Sequence, residues 1–232
     1  MKGSHFLPVH QILIISIVLL FVVSVLHAKK ESKLNESQIV SALINNYGER
    51  AGKRGTAWFR LMDNSYALDE LDKLSQVNNF FNFLIFIDDI KLWGNKNYWA
   101  TPIEFLGVNG GDCEDFAIAK YFTLLELGVP DEKMRITMVK ALTLNQYHMV
   151  VAYYATPSSV PLILDNIDGK IKPATQRNDL IPVYSFNGKQ LWLNKSKGNG
   201  VLAGKSDRLK KWTNLNQRMG ISNLKQPKLR ME

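Results

Sequence analysis

The hydrophobic period of the chain changes from helical to strand-like at Gly128-Val129-Pro130, and that change limits the folds open to it. Before it, apolar residues recur at helical spacing. Glu36 to Tyr47 reads as a helix stopped by Gly48, and Ala51 to Met62 and Leu68 to about Ile87 continue the pattern. Thr101-Pro102 starts a further helical turn. Cys113 to Leu127 carries two adjacent apolar stripes, Ile118/Phe122/Leu125 and Ala117/Tyr121/Leu124, which predicts a central, mostly buried helix. After Pro130 the period becomes that of strands. Met134 to Leu142, Gln146 to Ala155, Pro161 to Asp165, Ile181 to Ser185 and Gln190 to Leu193 are expected strands separated by turn residues. Ser206 is expected to cap a last helix, with Leu209, Trp212, Leu215 and Met219 on one face and Gly220 at its end. Helices first and strands second make an α+β fold with an antiparallel sheet.

The N-terminus carries a different signal. Lys2 precedes an apolar run from Ile12 to Leu26, and Ala28 closes it, which describes a secretory signal peptide over residues 1–28. The run is short for a spanning helix, which needs about 20 apolar residues; an uncleaved anchor is the other reading. Either delivers residues 29–220, one domain's worth of chain, across a membrane, with residues 221–232 as a basic flexible tail. The formal charge of +8 comes from the C-terminal end, where ten Lys or Arg from Asn194 onward face two acids. Export argues against a nucleic-acid partner for that charge. A solvated face, or contact with an acidic partner or membrane surface, fits better.

Beyond residue 28 the chain keeps one cysteine, Cys113, and one histidine, His148. A lone thiol in an exported protein can form no internal disulfide and is open to oxidation, so it is expected to be kept for reactivity. The alternative is a small buried core residue. Cys113 leads a helix, where the positive end of the helix dipole favours a thiolate and free backbone amides can receive an oxyanion. His148 lies in a strand, and Asp165 ends the apolar strand Pro161-Leu162-Ile163-Leu164. Nucleophile, base and orienting carboxylate are then all available. Asp168 is the rival carboxylate, but as the start of Asp168-Gly169 it is explained by turn chemistry.

Asp112, Glu114 and Asp115 surround the thiol with negative charge, which should raise its pKa. Two readings of these acids are open. They cap the helix and complement its dipole, or they form an oxygen-rich site for a hard cation such as calcium, which would neutralise their field.

Gly110-Gly111-Asp112-Cys113-Glu114-Asp115-Phe116-Ala117 resembles the nucleophile motif of the bacterial transglutaminase-like cysteine proteinases, and more narrowly of the periplasmic LapG-type adhesin proteases. Tyr98-Trp99-Ala100-Thr101-Pro102, Tyr147-His148-Met149-Val150 and Leu164-Asp165-Asn166 fit the same family, in its order Cys, His, Asp. The resemblance runs from about Ser37 to Met219. It implies a papain-like transglutaminase-core fold, with Cys113 as nucleophile, His148 as base and Asp165 as its orienter. It implies calcium as cofactor, with Asp112, Glu114 and Asp115 as ligands. It also implies a periplasmic endopeptidase acting on a large surface adhesin at a di-alanine site, sequestered by an inner-membrane receptor for cyclic di-GMP. Two other readings share this fold: acyl transfer or deamidation at glutamine, and a catalytically silent periplasmic binding module.

Overall fold

The computed structural model describes residues 35–194 and 200–231. The signal peptide expected over residues 1–28 lies outside the described residues. Among the described residues, no helix is long and apolar enough to cross a membrane.

Three helices open the fold: α1 (Glu36–Tyr47), α2 (Glu49–Ser65) and α3 (Glu70–Asn82). Asp69 starts α3 by accepting the Asp72 amide. The helix expected to reach Ile87 ends at Asn82, because the next residues pair as a strand instead. β1 (Ile85–Phe86) lies parallel to β2 (Gly110–Gly111), and the amides of Ile85 and Ile87 donate to the carbonyls of Asn109 and Gly111. The aromatic run therefore splits: Phe81 is fully buried and Phe83 is exposed. The short helix α4 (Asp89–Leu92) follows. Next comes α5 (Pro102–Val108), which opens with a reciprocal capping box between Thr101 and Glu104.

α6 (Cys113–Glu126) is the central helix, buried without a break from Glu114 to Tyr121. It packs on a seven-stranded antiparallel sheet in the order β6-β5-β4-β3-β7-β8-β9. The strands are β3 (Met134–Ala141), β4 (Gln146–Tyr153), β5 (Leu162–Leu164), β6 (Lys172–Pro173), β7 (Leu180–Phe186), β8 (Gln190–Leu193) and β9 (Val201–Lys205). Alternation along β4 sorts the core: Met149, Val151 and Tyr153 join the helices, while Val150 and Ala152 join a smaller apolar cluster on the other face.

Two expectations at the C-terminal end are corrected. Ser206 does not cap the last helix, α7 (Lys210–Gln217); it lies in a separate 3-10 turn, and its hydroxyl donates to the Gly188 carbonyl. The chain after Gly220 is not a free tail. The Lys225 amide donates to Glu104, the Lys225 carbonyl accepts from Tyr47 Oη, and the Lys228 amide donates to the Leu92 carbonyl at 2.7 Å. Buried backbone and carboxylate groups here need partners, and this segment supplies them.

Candidate active site

Strand register brings the histidine and the aspartate together. Val151 pairs with Leu164, so one further step sets Asp165 beside Val150, two residues from His148 on the same face of the sheet. His148 Nε2 lies 2.7 Å from Asp165 Oδ1, with both side chains buried. An ionised carboxylate can only accept, so Nε2 carries the proton and Nδ1 is left as the basic nitrogen. Asp168 plays no part here; it accepts from the Lys170 amide and pairs with Lys172 at 2.6 Å.

Asp165 is also held by Arg177, whose guanidinium lies 2.8 Å from Oδ2 and pairs with Asp179 as well. Burial works to raise the Asp165 pKa, but His148, the Ile167 amide and Arg177 outweigh it and hold the carboxyl well below the usual range. Lys120, buried on α6, adds a further nearby charge. Burial lowers its pKa to about 7, against the pull of Asp165.

Cys113 opens α6, with Asp112 as N-cap accepting the Glu114 amide. The thiol and His148 line one cleft of about 540 Å³, together with Phe86, Met138, Tyr147 and Tyr184. The thiol donates to Glu114 Oε2 at 2.9 Å. Burial, then Glu114 and Asp112, push its pKa well above the ordinary value. The helix dipole alone does not make this group a thiolate.

The expected calcium ligands form two overlapping groups joined at Asp112. Asp112 lies with Glu114 and the Cys113 thiol, and also with Asp115 and with Asp89 at the start of α4, and in each group one ligand atom from each residue lies within 4.8 Å of the others. Asp89 and Asp115 are each half satisfied. Asp89 Oδ2 accepts the Tyr98 amide and Asp115 Oδ1 accepts the Ala100 amide at 2.7 Å, while Asp89 Oδ1 and Asp115 Oδ2 are buried without a hydrogen-bond partner. Burial raises all three, Asp89 to about 6 with Glu114 adding to it, and Asp112 to about 11 and Asp115 well above its usual value with repulsion from the neighbouring acids. Gly111 makes the room, since a Cβ there would fall 2.1 Å from Asp115 Oδ2. Two unpartnered buried oxygens, one each from Asp89 and Asp115, beside the Asp112 carboxylate fit a hard divalent cation.

The family model of the bacterial transglutaminase-like cysteine proteinases (BTLCP) matches residues 60–199. The chain belongs to this family. Among solved structures, EGTA-treated LapG of Legionella pneumophila is 45% identical, with a TM-score of 0.72 over 81% of this chain and 98% of that one. Calcium-bound LapG of the same organism is 44% identical, with a TM-score of 0.69 over 81% of this chain and 100% of that one. Comparison with curated proteins gives no match. The fold is accordingly the transglutaminase-like one that the motif resemblance implies.

Asp89 and Arg177 escape the sequence reading of this family member. Asp89 sits 23 positions before Asp112 in an Asp88-Asp89 pair that carries no motif, and the parallel pairing of β1 with β2 brings it near Cys113. Arg177 lies in a loop with no motif of its own. Burial of a carboxylate at Asp165 is the one signal that a cation must be near.

Proposed function

We propose that this proteinase is a calcium-dependent periplasmic endopeptidase that cleaves the N-terminal region of a large surface adhesin, at a di-alanine site, and so releases cells from a biofilm. The observation that carries the chemistry is the Cys113 cleft shared with His148, whose Nε2 is fixed on Asp165 at 2.7 Å. Family membership and the likeness to LapG support the protease reading, and the apolar run at residues 12–26 supports export.

The thiol of Cys113 gives its proton to Nδ1 of His148, and the sulfur attacks the scissile carbonyl carbon. The oxyanion faces the start of α6, where Asp112 already takes the Glu114, Asp115 and Phe116 amides and the Cys113 amide is the one to receive it. His148 returns the proton to the leaving amine, and the thioester forms. Water then gives a proton to His148 and attacks the thioester, which releases the acid and restores the thiol. Asp165 keeps Nε2 protonated and the imidazolium stable, and Arg177 keeps Asp165 ionised. Asp89, Asp112 and Asp115 would hold calcium, and its charge would offset the carboxylate field that, with burial, keeps the thiol protonated.

An inner-membrane receptor for cyclic di-GMP is the proposed partner that sequesters the enzyme. Basic residues around the last helix, Arg208, Lys210, Lys211 and Arg218, are candidates for steering that encounter. Arg218 is now committed elsewhere, with its guanidinium 3.0 Å from Glu104, so the steering charge falls to Arg208, Lys210 and Lys211.

The test is cleavage of a purified adhesin N-terminal fragment by the wild type and by Cys113→Ala, with calcium or with EGTA. Cleavage only by the wild type in calcium is expected. Equal cleavage in EGTA would remove calcium from the account, and amine incorporation without cleavage would make the enzyme an acyl transferase.

A further inference from the structure

The segment Tyr98-Trp99-Ala100 is engaged on two sides. On one side its amides hold the carboxylates of the cation site: Tyr98 donates to Asp89 and Ala100 to Asp115. On the other side it is gripped from the C-terminal end of the chain. One terminal nitrogen of Arg218 donates to the Trp99 carbonyl at 2.5 Å. The other donates to Tyr98 Oη at 2.5 Å and to Glu104 at 3.0 Å, and the guanidinium lies 4.6 Å from the Tyr98 ring centroid.

Glu104 is the hub of this grip. Fully buried, it accepts from Tyr98 Oη, the Thr101 amide, Arg218 and the Lys225 amide. Lys225 in turn stands over the Tyr98 ring, 4.0 Å from its centroid, and three residues on the Lys228 amide ties to Leu92, the last residue of the helix that begins at Asp89. The C-terminal segment therefore touches both pieces of chain that aim the Asp89 and Asp115 carboxylates.

We propose that Arg218, with Lys225 to Lys228 behind it, is a positioning residue for the calcium site. This rests on the calcium reading above. Arg218 touches no ligand oxygen; it acts by fixing where the Tyr98 and Ala100 amides stand, and those amides decide which oxygen of each carboxylate is left for the cation. Partners of metal ligands typically affect metal affinity by about 10–100-fold. The coupling is reciprocal, so calcium must also tighten the docking of residues 218–228. The basic C-terminal end then has a local task, in place of a free tail.

The experiment is calorimetric calcium titration of the purified protein and of Arg218→Met, which keeps the aliphatic stem and removes every donor. Lys210→Gln, an exposed charge on the same last helix, is the control, and Arg218→Lys tests partial rescue. Arg218→Met is expected to weaken calcium by at least tenfold, Arg218→Lys by less, and Lys210→Gln not at all. Wild type that binds calcium with Arg218→Met within twofold of it overturns the proposal and leaves the calcium reading standing. Wild type that binds no calcium overturns both. Should Arg218→Met not fold, hydrogen exchange on the wild type decides. Slower exchange at the Lys225 and Lys228 amides in calcium supports the coupling, and equal rates contradict it.

Discussion

Asp165 and Asp115 serve the same cleft and are buried to the same degree, at 1% and 0% exposure, yet their surroundings are opposite. Asp165 meets His148 and Arg177, and its pKa is lowered. Asp115 meets Asp89 and Asp112, and burial together with Asp89 raises its pKa. A buried carboxylate with a built-in cation is a finished part. One surrounded by other carboxylates is half of a site, with the other half to come from solution. On the proposed mechanism the two clusters act on Cys113 through opposite routes, one by orienting the base and one by setting the field at the thiol.

The largest expected effect tests whether both clusters converge on a single nucleophile. Cys113→Ala and His148→Ala should each reduce kcat/KM by on the order of 10⁴–10⁶-fold, and the double variant should lose little more, because such groups act as a unit. Full additivity in the double variant would break the comparison at its centre.

The same substitution should then give opposite signs of stability at the two clusters. Asp165→Asn leaves Arg177 partly unpaired in the interior and should destabilise the fold by about 3 kcal/mol, with kcat falling by up to ~10⁴-fold. Asp168→Asn, on a partly exposed turn, should change neither appreciably. Asp115→Asn keeps an oxygen for the Ala100 amide and relieves repulsion. In EGTA its melting temperature should rise by ~2–4 °C for each kcal/mol relieved, while its response to calcium disappears. Chemical denaturation and thermal melts of the two variants, side by side in EGTA, check the signs. Destabilisation by both would mean that the acid cluster is an ordinary hydrogen-bonded network.

A smaller effect follows from proton linkage. Asp89 and Asp112 bind protons in the folded state at pH values where the unfolded chain, with an ordinary pKa near 3.8, does not. Metal-free stability should therefore fall as pH rises from about 4 to 6, the window set by Asp89, and go on falling above it through Asp112. Asp165 contributes in the other direction: its stabilisation is present above 3.8 and is lost as pH falls below it. Calcium, by displacing protons from the acid cluster, should flatten the first slope and leave the second. Melting curves at a series of pH values in EGTA and in calcium read both.

Much of this was legible in the chain because the informative signals are local. The period change at Gly128 gave the α+β order, the single Cys and His named the cleft, and the motif around Cys113 gave the family. What stayed hidden depends on distant pairing. Ile85-Phe86 reads as the end of a helix until Gly110-Gly111 offers it a parallel partner, and with that pairing comes Asp89. Glu114 was legible because it stands two residues from Asp112, and the structure keeps the two within reach of a shared ion while the Cys113 thiol donates to Glu114. The C-terminal end reads as a loose basic tail because its partners, Tyr47, Leu92 and Glu104, lie more than a hundred residues away in sequence.

The central claim is that the Asp89–Asp112–Asp115 cluster is completed by calcium. The most direct measurement is the melting temperature of the wild type and of Asp89→Asn in chelator-treated buffer, titrated with calcium and separately with magnesium. The account predicts that the wild type rises steadily with the logarithm of calcium concentration, as for a ligand bound only by the folded state. Magnesium, which gives up its water reluctantly, should shift it far less, and Asp89→Asn should respond to neither. A wild-type melting temperature indifferent to calcium, or an Asp89→Asn response equal to that of the wild type, would contradict it.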